Sequence, residues 1–149
     1  MNDTHDSFAS FSALLREALG DRLAAEAATF TQMMAEDSIM DFPYAPPGMV
    51  TRLEGRAAIE RHLASLVGLI QFDRMIDLVV HRTEGDTFVL EFGCTGHGVQ
   101  TGVPYPQRYI SVITLENGRI ARYRDYWNPL VVLEAMGQPT ALAAEAHAQ

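Results

Sequence analysis

The dipeptide Asn117-Gly118 constrains the fold more than any other feature of the sequence. Two-residue hairpin turns favour this pair, because both central positions of the turn need a positive φ. The residues after the turn alternate with period two, as a half-buried strand does. The alternation places Asp125 on the same strand face as Tyr123 and Trp127, and it turns the neighbouring arginines to the opposite face. The sequence therefore predicts a final hairpin that presents one carboxylate among aromatic side chains.

Helix signals follow and precede this hairpin. Asn128 is expected to cap a short helix that has Pro129 at its first position and Gly137 just past its end. Three earlier helices are predicted: one capped by Ser7 and ended by Gly20, one capped by Asp21 with Leu23, Ala27, Phe30 and Met34 as its buried stripe, and one between Gly55 and Gly68. Whether Gly20 separates two helices or kinks one is left open by the pattern.

Strand signals dominate the second half of the chain. Strands are predicted at Ser38–Phe42, Phe72–Thr83, Thr87–His97 and Arg108–Leu115. We predict an α+β fold in which a cone-shaped, curved antiparallel sheet is closed by the N-terminal helices. Residues 1–149 are interpreted as a single domain, with an ordered core at about 8–137 and an Ala-rich tail at 139–149. The apolar interior of the cone is where a ligand pocket is expected.

Charge and cysteine content narrow the classes of function. The formal net charge of −8 disfavours nucleic acid and anionic membranes as partners, since both require basic patches. Cys94 is the single cysteine, which excludes an internal disulfide and fits a reducing compartment. The amino terminus lacks the pattern of a secretory signal, and no apolar run approaches a membrane span. A cytoplasmic protein is therefore expected. Metal-ligand spacing is not found, so we predict neither a metal nor another cofactor.

Asp125 is the candidate catalytic residue that the pattern favours. Burial in an apolar cone would raise the pKa of its carboxyl group, so that it could hold or transfer a proton near neutral pH. The alternative is a structural role, through a salt bridge to an arginine or a hydrogen bond to Tyr123. His97 is the second catalytic candidate, as a proton carrier or hydrogen-bond donor, or else it is an ordinary strand-end histidine. The nearby glycines Gly93, Gly96 and Gly98 suggest a bulge, which would leave the face of His97 undecided.

Aromatic residues supply the candidate substrate-binding positions. Tyr44, Tyr109, Tyr123 and Trp127 could line a pocket for a flat ligand, although aromatic residues of such a fold are equally expected in the core. His62 lies at the flank of the apolar stripe of its helix and is interpreted as structural.

Three segments resemble the SnoaL-like branch of the nuclear transport factor 2-like superfamily. They are Leu53–His62, Leu115–Ile120 and Arg124–Pro129, and the resemblance covers roughly residues 8–137. The carboxyl half, from Gly96-His97-Gly98 onward, is most similar to the phenazine biosynthesis A and B proteins. This resemblance implies the cone fold. It also places the chain near ketosteroid isomerase, limonene-epoxide hydrolase, the polyketide cyclases and binding modules without known chemistry.

The resemblance assigns roles residue by residue. The final-strand acid of the family falls on Asp125, and the Gly-His-Gly of the phenazine proteins falls on His97. The segment Phe92–His97 lacks the Arg and Asp that the epoxide hydrolase uses. The isomerase base falls on Phe42, and the nearest acid, Asp41, is expected on the opposite strand face; Asp41 is retained as a candidate substrate-binding residue.

These observations support three hypotheses. The first is a cofactor-independent acid/base enzyme of cyclase, isomerase or condensing type that acts on a small hydrophobic carbonyl or polycyclic molecule. The second is a small-ligand-binding or accessory module with the same pocket. The third is a protein-interaction domain that uses its outer sheet face. A homodimer through that outer face is expected as well.

Overall fold

A computed structural model describes residues 8–138 of the chain. The Ser7 cap and the Ala-rich tail predicted above lie outside these residues. The elements are α1 (Ala9–Leu19), a 3-10 turn (Gly20–Arg22), α2 (Phe30–Met33), β1 (Met34–Asp41), β2 (Arg52–Glu54), α3 (Arg56–Val67), β3 (Ile70–Arg82), β4 (Thr87–Gly98), β5 (Gln107–Glu116), β6 (Arg119–Trp127) and α4 (Pro129–Ala135). The predicted α+β class is confirmed: the helices pack on one curved sheet.

The sheet has six strands in the order β2-β1-β6-β5-β4-β3 and is not closed. All neighbouring strands are antiparallel except β1 and β6, which run parallel. The parallel pair departs from the predicted all-antiparallel sheet. The chain passes from β1 to β6 through a long connection that includes α3 and four strands, and parallel pairing requires such a crossover. The short strand β2 was not predicted.

The final hairpin and the helix after it form as predicted. Asn117 and Gly118 have φ values of 52° and 78°, the positive pair that the hairpin turn requires. The side chain of Asn128 accepts a hydrogen bond from the backbone N–H of Leu130 at 3.0 Å, which caps α4. Helix α4 therefore begins at the end of β6.

Helix α3 also agrees with the sequence pattern. It spans the residues between Gly55 and Gly68, and it buries Ile59 and Leu63 against the sheet. The buried side chains recur at helical spacing, which is why the apolar stripe was visible in the sequence.

The helix predicted for residues 21–34 is wrong. Thr29 accepts a hydrogen bond from the backbone N–H of Gln32 in a capping box, so the helix begins at residue 30 and has a single turn. Before it, the backbone N–H of Ala24 donates to the carbonyl oxygen of Gly118 at 2.9 Å. The Ala24 N–H thus bonds to the hairpin turn and not to a carbonyl group within a helix. The residues around Ala24 therefore contact the hairpin turn and do not form the predicted helix.

The predicted irregularity near the glycines of β4 falls on its partner strand. The register between β3 and β4 shifts between Phe72 and Arg74 and again between Ile76 and Val79. Both shifts leave extra residues on β3, as bulges do, and bulges increase local twist and bending. Alternation along β4 is therefore uninterrupted.

The principal core lies between the concave face of the sheet and the helices. Aromatic rings join the two layers: Phe11 of α1 lies 4.8 Å from Phe30 and 5.9 Å from Phe92, and Phe30 meets Tyr123 edge-on at 5.8 Å. Such tilted and edge-on ring pairs stabilise a core beyond the area that they bury. The candidate site adjoins these rings.

Candidate functional site

A cavity of about 120 Å³ lies on the concave face of the sheet. Its walls are formed chiefly by aromatic side chains from the sheet and the helices, among them Phe11, Phe42, Phe72, Phe92, Tyr109 and Trp127. Helix α4 contributes Val132 and Met136. The cavity is large enough for several water-sized groups, and its lining suits an apolar molecule.

Asp125 reaches this cavity from β6. Its strand neighbours Tyr123 and Trp127 line the same cavity, as the alternation of the final strand predicted. The residue is 9% exposed, and its Oδ1 atom has no hydrogen-bond partner in the part of the chain that the structure describes. A buried polar atom without a partner is costly, and such atoms call for an explanation.

Burial raises the pKa of Asp125 to about 8, while a hydrogen bond from the Trp127 side chain lowers it. Desolvation penalises the charged carboxylate, and no cation compensates for it. The carboxyl group is therefore mainly protonated at neutral pH and can donate a hydrogen bond. Neither structural alternative from the sequence, an arginine salt bridge or a hydrogen bond to Tyr123, occurs.

The end of β6 is fixed by Gln107, which is fully buried. Its side-chain amide donates to the carbonyl oxygen of Asn128 at 3.0 Å and accepts from the backbone N–H of Asn128 at 2.8 Å. Because Asn128 follows Trp127 directly, this two-way clamp holds the cavity end of the strand in register with β5.

Three tyrosines surround the carboxyl group. The hydroxyl oxygens of Tyr105 and Tyr109 lie 3.0 Å apart, and that of Tyr123 lies 2.7 Å from the Ser111 hydroxyl. Burial raises the pKa of all three phenols, and the nearby Asp125 carboxylate would raise each further. The phenols are therefore neutral donors at neutral pH.

His62 is the functional candidate that the sequence reasoning missed. It lines the cavity from α3, and its ring lies 5.3 Å from that of Phe42. Burial lowers the pKa of the imidazole, so the ring is neutral and can accept a proton. The signal was present: His62 stands three residues after the buried Ile59 and next to the buried Leu63, on the inward side of its helix.

A SnoaL-like domain pattern matches residues 14–123. The chain belongs to the SnoaL-like family. It is 43% identical over 124 residues to the uncharacterized protein YesE of Bacillus subtilis, covering 83% of this chain and 84% of that one. It is 39% identical over 108 residues to an uncharacterized PhzA/B-like protein of Pseudomonas aeruginosa, with coverage of 72% and 76%.

A solved structure is similar along nearly the whole domain. The crystal structure described as "Putative Isomerase from Bacillus subtilis" is 40% identical, covers 89% of this chain and 96% of its own, and has a TM-score of 0.73. The fold is that of the nuclear transport factor 2-like proteins, as the resemblance implied.

His97 and Tyr44 do not lie at the cavity of this SnoaL-like domain. Because the alternation of β4 is uninterrupted, His97 points to the outer face, with its Nδ1 atom 3.9 Å from a carboxylate oxygen of Asp73. Tyr44 is 61% exposed, and its ring packs edge-on against Tyr126 at 5.3 Å. Neither residue is brought near Asp125, so the predicted pairing of His97 with Asp125 is not formed.

Asp41 also lies away from the cavity. Met40 and Phe42 line the cavity, and Asp41 between them points to the opposite face, as the parity of its strand predicted. There its carboxylate accepts hydrogen bonds from Arg52 at 2.7 Å and from Arg122 at 2.9 Å. The isomerase-base position is thus occupied by an apolar ring, and Asp41 serves an ion-pair cluster.

Residues 8–138 offer neither a metal site nor a membrane-spanning helix. Groups of three or more side chains that could hold a metal ion were not found there. Within the same range, no helix is long and apolar enough to cross a membrane.

Proposed function

We propose that this SnoaL-like protein is a cofactor-independent acid/base enzyme of isomerase or cyclase type, acting on a small hydrophobic carbonyl compound. The observation that carries the proposal is the Asp125 carboxyl group, which is buried without a partner for Oδ1 among the described residues of an aromatic cavity. Titratable groups with perturbed pKa values in a cavity are candidates for function. The similar crystal structure from Bacillus subtilis carries the description "Putative Isomerase", which is consistent with this class.

Protonated Asp125 is suited to donate a hydrogen bond to a substrate carbonyl oxygen. As the adjacent C–H bond breaks, negative charge moves onto that oxygen, and a donor already oriented in a dry site stabilises it. The Tyr105–Tyr109 hydroxyl pair shares one hydrogen bond and keeps a second O–H available, so it can supply another donor. Ketosteroid isomerase illustrates such a pairing of a tyrosine with a neutral carboxylic acid.

His62 is suited to the opposite role of general base. A neutral imidazole can remove the proton next to the carbonyl group while Asp125 gives its own proton to the carbonyl oxygen, which leaves an enol that is hydrogen-bonded to the Asp125 carboxylate. Returning the proton to a different carbon completes an isomerisation, whereas attack of the enol carbon on a second carbonyl group forms a ring. His62 and Asp125 line the same cavity, so a substrate bound there can contact both the acid and the base.

Proton exchange at carbon tests this proposal without knowledge of the natural substrate. We expect the protein to accelerate deuterium incorporation next to the carbonyl group of 2-tetralone in D₂O, followed by NMR. Asp125→Asn and His62→Gln should each lower this rate by about 100-fold or more, the usual contribution of a general acid or base. Asp77→Asn, on the exposed side of β3, is the matched control and should leave the rate unchanged. Equal rates for Asp125→Asn and the control would refute the acid/base role.

The ligand-binding module is the second candidate function. One observation favours it: the polar groups beside Asp125 largely satisfy one another, since Tyr105 pairs with Tyr109 and Tyr123 pairs with Ser111. Trp127 is the single tryptophan of the chain and lines the cavity, so its fluorescence reports occupancy directly. Saturable quenching by 2-tetralone without any deuterium exchange would select the module over the enzyme.

A further inference from the structure

The positive charges of this protein are excluded from its cavity. The eleven basic residues of the chain are all arginines, and they lie within the described residues 8–138. None of them belongs to the cavity lining. Several are engaged elsewhere: Arg52 and Arg122 bind Asp41, and Arg108 binds Asp77.

The titratable groups that do face the cavity add no positive charge at neutral pH. They are Asp125, the tyrosines at 105, 109 and 123, and His62. Burial keeps the carboxyl group and the phenols in their neutral forms, and it keeps the imidazole neutral too. The cavity therefore offers hydrogen-bond donors of zero net charge within aromatic walls.

A ligand carboxylate would lose its hydration in such a cavity without gaining an ion pair. Transfer of an unpaired ion into an apolar site is so costly that the ion takes up a proton instead. The loss of affinity is then at most the cost of protonating the ligand. That cost is about tenfold in affinity for each unit by which the pH exceeds the pKa of the ligand. For an aromatic acid with an ordinary carboxyl pKa near 4, this bound is about 1000-fold at pH 7.

We infer that the cavity selects uncharged carbonyl compounds and rejects their carboxylate counterparts, because no cation lines it and its one carboxyl group lacks a partner for Oδ1. This inference rests on the proposed function, since it concerns the substrate class of the same site. It excludes acyl donors and acceptors that carry a free carboxylate, and it favours ketones, lactones and other uncharged ring compounds.

A matched pair of ligands tests the inference. 2-Acetylnaphthalene and 2-naphthoate differ only in the replacement of a methyl group by a carboxylate oxygen. Their affinities can be measured at pH 7 and pH 5 by ligand-observed NMR. We expect the ketone to bind at both pH values with similar affinity. The carboxylate should bind at least 100-fold more weakly at pH 7 and should recover about tenfold or more at pH 5, as it takes up a proton.

A variant that adds the missing charge provides the second arm. Leu66→Arg places a guanidinium group at the cavity lining on α3. The ratio of the affinities of the ketone and the carboxylate at pH 7 should then fall by tenfold or more. Leu66→Gln is its uncharged control, and circular dichroism checks the fold of both. Equal binding of the ketone and the carboxylate by the unmodified protein at pH 7 would overturn the charge selection and leave the proposed function standing. Binding of neither ligand would overturn both.

Discussion

Two aspartates of this SnoaL-like domain are almost equally shielded from solvent, and yet the pKa values of their carboxyl groups shift in opposite directions. Asp41 on β1 is 8% exposed and Asp125 on β6 is 9% exposed. For both, burial raises the carboxyl pKa. At Asp41 hydrogen bonds and charges from Arg52 and Arg122 outweigh it, so the pKa is lowered. At Asp125 only the hydrogen bond from Trp127 opposes it, and the pKa rises to about 8. The charge of each carboxyl group therefore follows from its partners together with how deeply it lies among protein atoms, and not from its solvent exposure alone.

The two environments lie on opposite faces of one sheet. Strands β1 and β6 are adjacent, with Met40 beside Tyr123 and Asp41 beside Arg124. Met40 and Tyr123 turn to the cavity, while Asp41 turns to the face that carries the arginines. The alternation of side chains in strands thus separates an ion-pair cluster from an apolar site across one sheet thickness. The first environment is suited to stability and the second to proton chemistry.

The largest expected effect is on stability at alkaline pH. Because the folded pKa of Asp125 is about 8 and the ordinary value is 3.8, the unfolded chain loses this proton first as the pH rises. Between those two values each pH unit lowers the free energy of unfolding by about 1.4 kcal/mol, because the carboxyl group ionises in the unfolded chain and stays protonated in the folded one. Asp125→Asn removes this penalty. The free energy of unfolding of the variant should exceed that of the unmodified protein by an amount that grows from pH 4 upward. This difference should become constant above about pH 8, at a value on the order of 5 kcal/mol.

Urea unfolding followed by circular dichroism at a series of pH values measures this gain. Ser111→Ala, which leaves the Asp125 carboxyl group in place, is the matched control and should show no such pH-dependent gain. If the difference in free energy of unfolding between Asp125→Asn and the unmodified protein stayed constant from pH 4 to pH 9, the carboxyl group of Asp125 would titrate normally. The contrast between the pKa values of Asp125 and Asp41 would then be wrong.

The second effect has the opposite sign and the opposite pH range. The folded pKa of Asp41 is lowered, so its ion pairs stabilise the fold above the ordinary value of 3.8 and lose that effect as the pH falls through the folded pKa. Asp41→Asn should cost about 2 kcal/mol at pH 7, since it leaves two partly exposed arginines without their carboxylate. The cost should shrink below pH 4. Glu54→Gln, at the exposed end of the same cluster, is the control and should cost less than about 0.5 kcal/mol.

The sequence predicted those features that local signals determine. Asn117-Gly118 specified the hairpin because its φ values are a property of the dipeptide, and the parity of β6 then placed Asp125 beside Trp127. Gly55, with a φ of 94°, marks the start of α3 for the same local reason, whereas Gly68 ends the helix with a φ of −78°. These predictions succeeded because the decisive contact lay within a few residues of the signal; the capping box of Thr29 and Gln32 is also local, and the sequence interpretation missed it.

The predictions for Asp41, His97 and His62 failed for a different reason: their environments are decided by residues that are distant in the sequence. The arginine that neutralises Asp41 from β2 belongs to a strand with no signal of its own. The face of His97 depended on which strand of a pair carries the bulge, and that strand was β3. His62 was interpreted as a structural residue, because the apolar stripe of a helix does not show whether the stripe faces packed side chains or a cavity. Pairing and cavities are tertiary properties, and local patterns do not encode them.

A smaller effect would sharpen the account of Asp125. The hydrogen bond from Trp127 lowers the pKa of the carboxyl group, against the larger effect of burial. Trp127→Phe removes this donor and keeps an aromatic ring, so the pKa of Asp125 should rise further, by about one unit or less. Carbon-13 NMR of the aspartate carboxyl groups measures the shift. Tyr126→Phe, on the neighbouring position of the same strand, is the control, and an unchanged or lower pKa in Trp127→Phe would contradict the assigned role.

The smallest expected effect is that of replacing His97, which lies on the outer face of the sheet. It is compared with the replacement of His62, which lines the cavity from α3. His97 is about half exposed and sits 3.9 Å from the carboxylate of Asp73, a weak contact in a solvated position. His97→Gln should therefore change the free energy of unfolding by less than about 0.5 kcal/mol and leave 2-tetralone exchange unaltered. His62→Gln alters the cavity itself and should slow exchange. If His97→Gln slowed exchange as much as His62→Gln does, the outer face would take part in the chemistry. The separation of an ion-paired outer face from the proposed reaction at the cavity face would then be wrong.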